Sequence, residues 1–234
     1  MTGTLYGIGV GPGDPELMTL KAHRLIAAAQ VVAYPAPDTG ESFARRIAAA
    51  VIPAGAEEIP MRVPMRPDRF PAQEVYAEAA ERIAAHLGTG TDVAVLCEGD
   101  PFFYGSFMYL FARLTERFPV EIVPGVSALG ACAAALKRPL TARNDVLTVL
   151  PGPLPDAELR ARIEAAAAIA IMKVGRHLPR LRALLDDMGL TANADYIARA
   201  SLADEHVSLL AEAPDEAPYF SMILVYRGDD PWLR

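Results

Sequence analysis

The chain has 234 residues, 52% of them apolar, and a net charge of −7. This length and apolar content are enough for one large or two small globular domains with a real core, and they exclude a disordered chain. The acidic balance, with no lysine or arginine stripe interleaved with aromatics, argues against a nucleic-acid surface; no apolar run reaches the ~18 residues of a membrane span and no basic, apolar leader opens the chain, so a cytoplasmic protein is expected.

Strand-like and helix-like runs alternate from start to end. Thr4 to Val10 reads as a first strand, followed by one helix through "PELMTLKAHRLIAAA", where Leu17, Leu20, Leu25 and Ile26 have broadly helical spacing. "VVAYP" is a short strand, "SFARRIAAAV" a helix, and "IPMRVPMRPDRF" a proline-broken stretch. Val75, Ala79, Ile83 and Leu87 then line one helical face, and Gly88 is a natural stop. "VAVLC" is a continuous apolar strand of the kind buried on both faces in a parallel sheet. A helix over about 104–117, the strand "VEIVP", the turn "PGVSA" and a small-residue helix follow.

The second half repeats the alternation with "VLTVLP", a helix from Asp156, "IAIMKV", a helix from His177 to Met188, and "ADYIARA". "HVSLLAEAP" and "YFSMILVYR" close the chain with no room for a helix between them and are expected to pair as antiparallel neighbours. The expected fold class is α/β, in two domains: residues 1–120 around a mostly parallel sheet and residues 121–234 around a mixed sheet, with an active cleft between them. Cys97 and Cys132 lie far apart in apolar stretches, and the four histidines have no metal-ligand spacing, so neither a disulfide nor a metal site is expected.

The turn "GIGVGPGDPEL" has glycine at positions 7, 9, 11 and 13 and then Asp14-Pro15. A dinucleotide fingerprint fails in both registers, because its third glycine would fall on Asp14 or on Pro12. The strand "VVAYPAP" lacks the acidic residue that would hold a ribose, and no Gly-Lys-Ser/Thr follows to make a phosphate loop. Asp14 and Pro15 make an ordinary helix start, and the carboxylate discourages a phosphate there. The alternate glycines suggest a backbone that something approaches closely. The tripeptide recurs at Gly99-Asp100-Pro101, again where a buried strand ends, and "VPGVSALGA" offers a third strand-end turn. Ligands of open α/β sheets bind at such carboxyl ends.

"VGPGDPELMTLKA", "GDPFFYGS", "VPGVSA" and "IMKVG", in this order along essentially the whole chain, resemble the tetrapyrrole methylase family of S-adenosylmethionine-dependent methyltransferases. Within it, "VVAYPAP", "CEGDPFFYGSFMYL" and "YFSMILVYR" are most similar to the members that methylate precorrin-2 at C-20 on the aerobic cobalamin route. The resemblance implies a homodimer that takes S-adenosylmethionine, held between the domains, and the tetrapyrrole precorrin-2, with no metal of its own. Carried over by position, Pro12, Gly99, Asp100, Phe103, Ser127 and Ala128 would line the donor site, with Met172 and Ala200 on a looser alignment. Uroporphyrinogen methyltransferases of the family carry glycine where this chain has Glu98, and an aspartate where it has Pro35, so no catalytic base carries over.

A tetrapyrrole with eight carboxylates needs local positive charge, and arginine suits bidentate carboxylate binding. Arg62, Arg66 and Arg69 stand on the proline-rich stretch, and Arg138 and Arg143 flank a second loop. Lys173 and Tyr104 are further candidates for substrate contact, and Glu98 could hydrogen-bond the donor's amino group or only orient its loop. Solvated loop charges are the competing reading of the arginines. The same reaction on cobalt-precorrin-2 is the nearest rival; methylation of a protein or RNA, a nucleotide-binding oxidoreductase and a non-catalytic binding module are more distant ones.

Overall fold

The computed structural model describes residues 1–63 and 70–228. The chain divides into two compact units, Met1–Ser127 and Ala128–Arg234. In the first, strands β1 (Leu5–Gly9), β2 (Val31–Ala36), β3 (Glu57–Arg62), β4 (Val93–Cys97) and β5 (Val120–Val123) form one sheet in the order β3-β2-β4-β1-β5. Every pairing in it is parallel. β5 pairs with β1, so the first sheet runs past residue 120, where the sequence reading ended its first domain.

Helices α1 (Leu20–Ala27) and α2 (Phe43–Ala48) contribute to the apolar cluster on one face of this sheet, with Ile8, Ile26, Val32, Ile47 and Leu96. Helices α3 (Phe70–Gly88) and α4 (Met108–Leu114) contribute to the other, with Leu5, Ile83, Val95, Leu110 and Leu114. β4 alternates between the two: Val93, Val95 and Cys97 join one cluster, Ala94 and Leu96 the other. That two-sided burial is why its sequence reads as an unbroken apolar run.

Local chemistry sets the departures from the expected elements. The predicted long first helix breaks in two, because Asp14 caps a short 3₁₀ turn over Pro15–Leu17 and Thr19 then caps α1, accepting from the Ala22 amide at 3.1 Å. β3 overlaps the start of the stretch read as proline-broken; it lies at the sheet edge, where Pro60 is tolerated.

The second unit holds α5 (Ala128–Leu136), β6 (Leu147–Pro151), α6 (Asp156–Glu164), β7 (Ala168–Met172), α7 (Leu178–Asp187), β8 (Ala194–Ala198), β9 (His206–Leu209) and β10 (Ser221–Tyr226). Its sheet is mixed, in the order β6-β7-β10-β8-β9. β9 and β10 are not neighbours as expected: each pairs antiparallel with β8, which lies between them. Leu210 and Ala213 from the connection are buried in the core with α7, so the chain dives into the interior instead of turning back as a hairpin. Leu159, Ile171, Leu181, Leu185, Tyr196 and Ile223 make that core on one face. The small-residue helix α5 contributes to the cluster on the other, with Cys132, Ala170, Ile197 and Met222.

Candidate active site

The order β4-β1-β5 sets three strand-end turns side by side at the carboxyl edge of the first sheet. The Gly99 amide donates to the Gly11 carbonyl at 2.8 Å, and the Gly11 amide returns a bond to Gly99 at 3.3 Å, so the two Gly-Asp-Pro turns are joined directly. A Cβ on Gly9 would stand 2.5 Å from the Gly99 carbonyl oxygen and 2.6 Å from the Gly125 nitrogen. Only glycine lets these three backbones meet. Gly11 has φ +85°, the left-handed region that a side chain disfavours. A Cβ on Gly7 would strike the ring of the buried Phe107. The close approach suggested by the alternate glycines is therefore first of all that of the protein to itself.

Asp100 completes this node. One carboxylate oxygen accepts from the amides of Phe102 at 2.9 Å and Phe103 at 3.1 Å; the other accepts from Gly125 at 3.1 Å. It thus starts its own turn and pins the third one. Asp14 accepts from the Glu16 amide at 2.9 Å. The turns read "GVGPGDP", "EGDP" and "PGVS", which contain three carboxylates and no lysine or arginine. A site of this charge suits a cationic ligand and repels a phosphate.

Beyond the node, Phe102, Tyr104 and Met108 are exposed. Tyr104 has φ +57°, and its ring meets that of Phe103 edge-on, with centroids 5.2 Å apart. In the second unit β6, β7 and β8 run in the same direction, because β6 is parallel to β7 while β10 is antiparallel to both β7 and β8. Just past the ends of β7 and β8 stand Lys173, Arg199 and Ser201, with φ of +57°, +53° and +69°. Three such non-glycine residues at one sheet edge hold strain of the kind found at functional sites, about 1–3 kcal/mol each.

A sequence model of the tetrapyrrole (corrin/porphyrin) methylases matches residues 4–214. The chain belongs to this family. A precorrin-2 C(20)-methyltransferase from Sinorhizobium sp is 42% identical to the methylase over 95% of either chain. A cobalt-precorrin-2 C(20)-methyltransferase from Salmonella typhimurium is 31% identical over 96% of this chain and 97% of its own. Among solved structures, a uroporphyrin-III C-methyl transferase from Thermus thermophilus complexed with S-adenyl homocysteine superposes with a TM-score of 0.69 at 26% identity, covering 95% of the methylase and 97% of that chain.

The residues anticipated from sequence fall into two groups in the methylase. Pro12, Gly99, Asp100, Phe103 and Ser127 lie on the three turns of the first unit. Ala128, Met172 and Ala200 pack against a single apolar cluster in the second. Among the substrate candidates, Arg62 is exposed and donates to the Pro37 carbonyl at 3.3 Å, Lys173 is half-buried, and Arg66 and Arg69 lie outside the described residues. Arg138 pairs with Asp195 of β8 at 2.7 Å, and both side chains are largely covered.

Sequence reasoning missed one polar cluster. On β2 and β3, the Tyr34 hydroxyl donates to Glu58 at 2.6 Å and Arg45 of α2 grips the same carboxylate through two nitrogens at 2.6 and 2.9 Å. The Arg45 bonds hold Glu58 below the usual carboxylate range. At the end of β4, burial pushes the half-buried Glu98 carboxyl above the usual carboxylate range. The buried Cys97 thiol is pushed well up for the same reason, and the Tyr76 phenol to about 12. In the sequence Glu98 is marked twice, as a glutamate that follows five apolar residues and as the residue before the second Gly-Asp-Pro.

Proposed function

We propose that the methylase transfers the methyl group of S-adenosylmethionine to C-20 of precorrin-2, giving precorrin-3A and S-adenosylhomocysteine in corrin synthesis. The observation that carries this reading is the 42% identity, over nearly the full length of both chains, to a precorrin-2 C(20)-methyltransferase. The weaker identity to a cobalt-precorrin-2 enzyme supports the metal-free substrate over its cobalt counterpart, which is the second reading.

When bound, S-adenosylmethionine supplies an electrophilic methyl group on a sulfonium. Pro12, Gly99, Asp100, Phe103, Ser127 and Ala128, with Met172 and Ala200, are the residues proposed to hold it. The carboxylate-bearing, lysine-free turns of the first unit fit such a cation. Because the donor's charge disappears as the new bond forms, a partly dry and preorganised backbone cradle favours the transition state over the charged ground state. The glycine node supplies that rigidity, since its amides and carbonyls are fixed before a ligand arrives. Arg62, Arg66, Tyr104 and Lys173 are proposed to orient the carboxylate-rich macrocycle. The functional unit is proposed to be a homodimer, and the compartment the cytoplasm.

The test is to incubate the protein with methyl-labelled S-adenosylmethionine and either precorrin-2 or cobalt-precorrin-2, and to locate the label by carbon NMR. Label at C-20 with the metal-free substrate turning over at least ten times faster is expected. Preference for the cobalt compound would establish the second reading, and no label in either tetrapyrrole would overturn both.

A further inference from the structure

Glu98 follows β4 and directly precedes Gly99, the residue that bonds Gly11 at the meeting of the two Gly-Asp-Pro turns. Strand alternation decides where its side chain goes. Ala94 and Leu96 face the α1 and α2 cluster, so Glu98 continues that face, toward the first turn of α2. β2 runs parallel beside β4 with Val31, Val32 and Ala33 level with Val93, Ala94 and Val95. Continuing that register places Ala36 level with Glu98, and β2 itself ends there in Pro35 and Ala36. Glu98 is thus the first residue past the end of β4.

Its surroundings make this carboxyl unusual. Among the described residues no arginine or lysine partners it. Arg45 of α2 is committed to Glu58, Arg46 lies over the Phe43 ring, and Tyr34 of β2 donates to Glu58. The other titratable groups near it are the Cys97 thiol and Asp100 on its own strand and turn, and Tyr76 of α3 stacked on Tyr109 of α4. A structural glutamate in a core normally carries a salt bridge. This one is half-buried, has no ion pair among the described residues, and directly precedes the proposed donor loop.

We propose that Glu98 is the catalytic base of the methylase, accepting the proton that C-20 loses after methyl transfer. The inference rests on the reaction proposed above and adds the step that reaction leaves open. As the carbon–methyl bond forms, the sulfur–methyl bond breaks and its electron pair stays on sulfur as a neutral thioether. The macrocycle takes up the positive charge and discharges it by breaking the C-20–hydrogen bond, whose electrons return to the ring while the proton passes to the ionised Glu98 carboxylate. The proton is then released to solvent. Burial that raises the affinity of Glu98 for protons brings it nearer the operating pH, where a general base works best.

Glu98→Gln keeps the shape and removes the basicity, and Glu98→Asp keeps the basicity with a shorter reach. Precorrin-2 carrying hydrogen or deuterium at C-20 is the probe, with S-adenosylhomocysteine affinity and thermal melting as controls. The expected result for Glu98→Gln is a fall in kcat of about 100-fold, with the ligand affinity and melting temperature unchanged. A primary deuterium effect from C-20 should appear or grow, and the acid limb of the wild-type kcat profile, where Glu98 becomes protonated, should vanish. Glu98→Asp should recover part of the rate and restore the acid limb. Rates within threefold of wild type with the same pH profile would overturn the proposal, as would a loss confined to S-adenosylhomocysteine affinity or to melting. A wild-type protein inactive on both tetrapyrroles would overturn the reaction itself and this role with it; an active wild type indifferent to Glu98→Gln overturns only the role.

Discussion

Gly9 shows how much one missing methyl group can decide. Its place between the Gly99 carbonyl and the Gly125 amide means that Gly9→Ala presses a Cβ against backbone on two sides, neither of which can rotate away. The expected cost is about 3 kcal/mol, the upper end for overpacking. It is measured as a lowered denaturant midpoint, with S-adenosylhomocysteine affinity falling as the turns separate. Asp100 works at the same scale in the opposite sense, since three backbone amides depend on a single carboxylate. Both positions were visible in the sequence as part of a repeated Gly-Asp-Pro, but their partners were not. Spacing along a chain says that a turn is glycine-rich, whereas which backbone the glycine admits is settled only when β4, β1 and β5 line up.

At the level of elements, the helix and strand alternation was legible because burial imposes it: β4 and β7 are covered on both faces and read as continuous apolar runs. β3 was not, since an edge strand can carry Pro60 and exposed residues that look like a loop. The β9 and β10 pairing misled for a related reason, because chain proximity predicts a hairpin but cannot see β8 inserted between them. The Tyr34, Glu58 and Arg45 cluster ties β2, β3 and α2 together, and its contribution should depend on pH. Glu58 is held below its ordinary value, so the stabilisation is fully present above the unfolded pKa of about 4.3. It fades as pH falls through the lower folded pKa. Glu58→Gln is therefore expected to cost about 1–2 kcal/mol at pH 7. Urea titrations repeated between pH 7 and pH 3 should show that difference shrinking toward the acid end.

For the whole molecule, family and fold were readable because four motifs occur in one order along nearly the full chain, and the family match over residues 4–214 and the two α/β sheets agree with them. Among the described residues, no helix is long and apolar enough to cross a membrane. Less was legible at the site, because Glu98 gains its character from burial beside α2, a property of the fold and not of any motif. Ligand binding offers a global check on the donor site. S-adenosylhomocysteine at 100 times its Kd should add about 2.7 kcal/mol of stability, which for a chain of this size raises the melting temperature by about 5–10 °C. No shift at saturating ligand would count against the donor site. The interlocked glycines also have a bearing on heredity and engineering. Because the Gly99 carbonyl fills room that Gly9 and Gly125 leave, and Gly99 itself holds a left-handed φ of +62°, none of the three turns can be exchanged for a bulkier loop alone. A chimera that borrows one turn from a distant relative should fail, while one that carries all three together should fold, so segments far apart in the gene are constrained to diverge as a single unit.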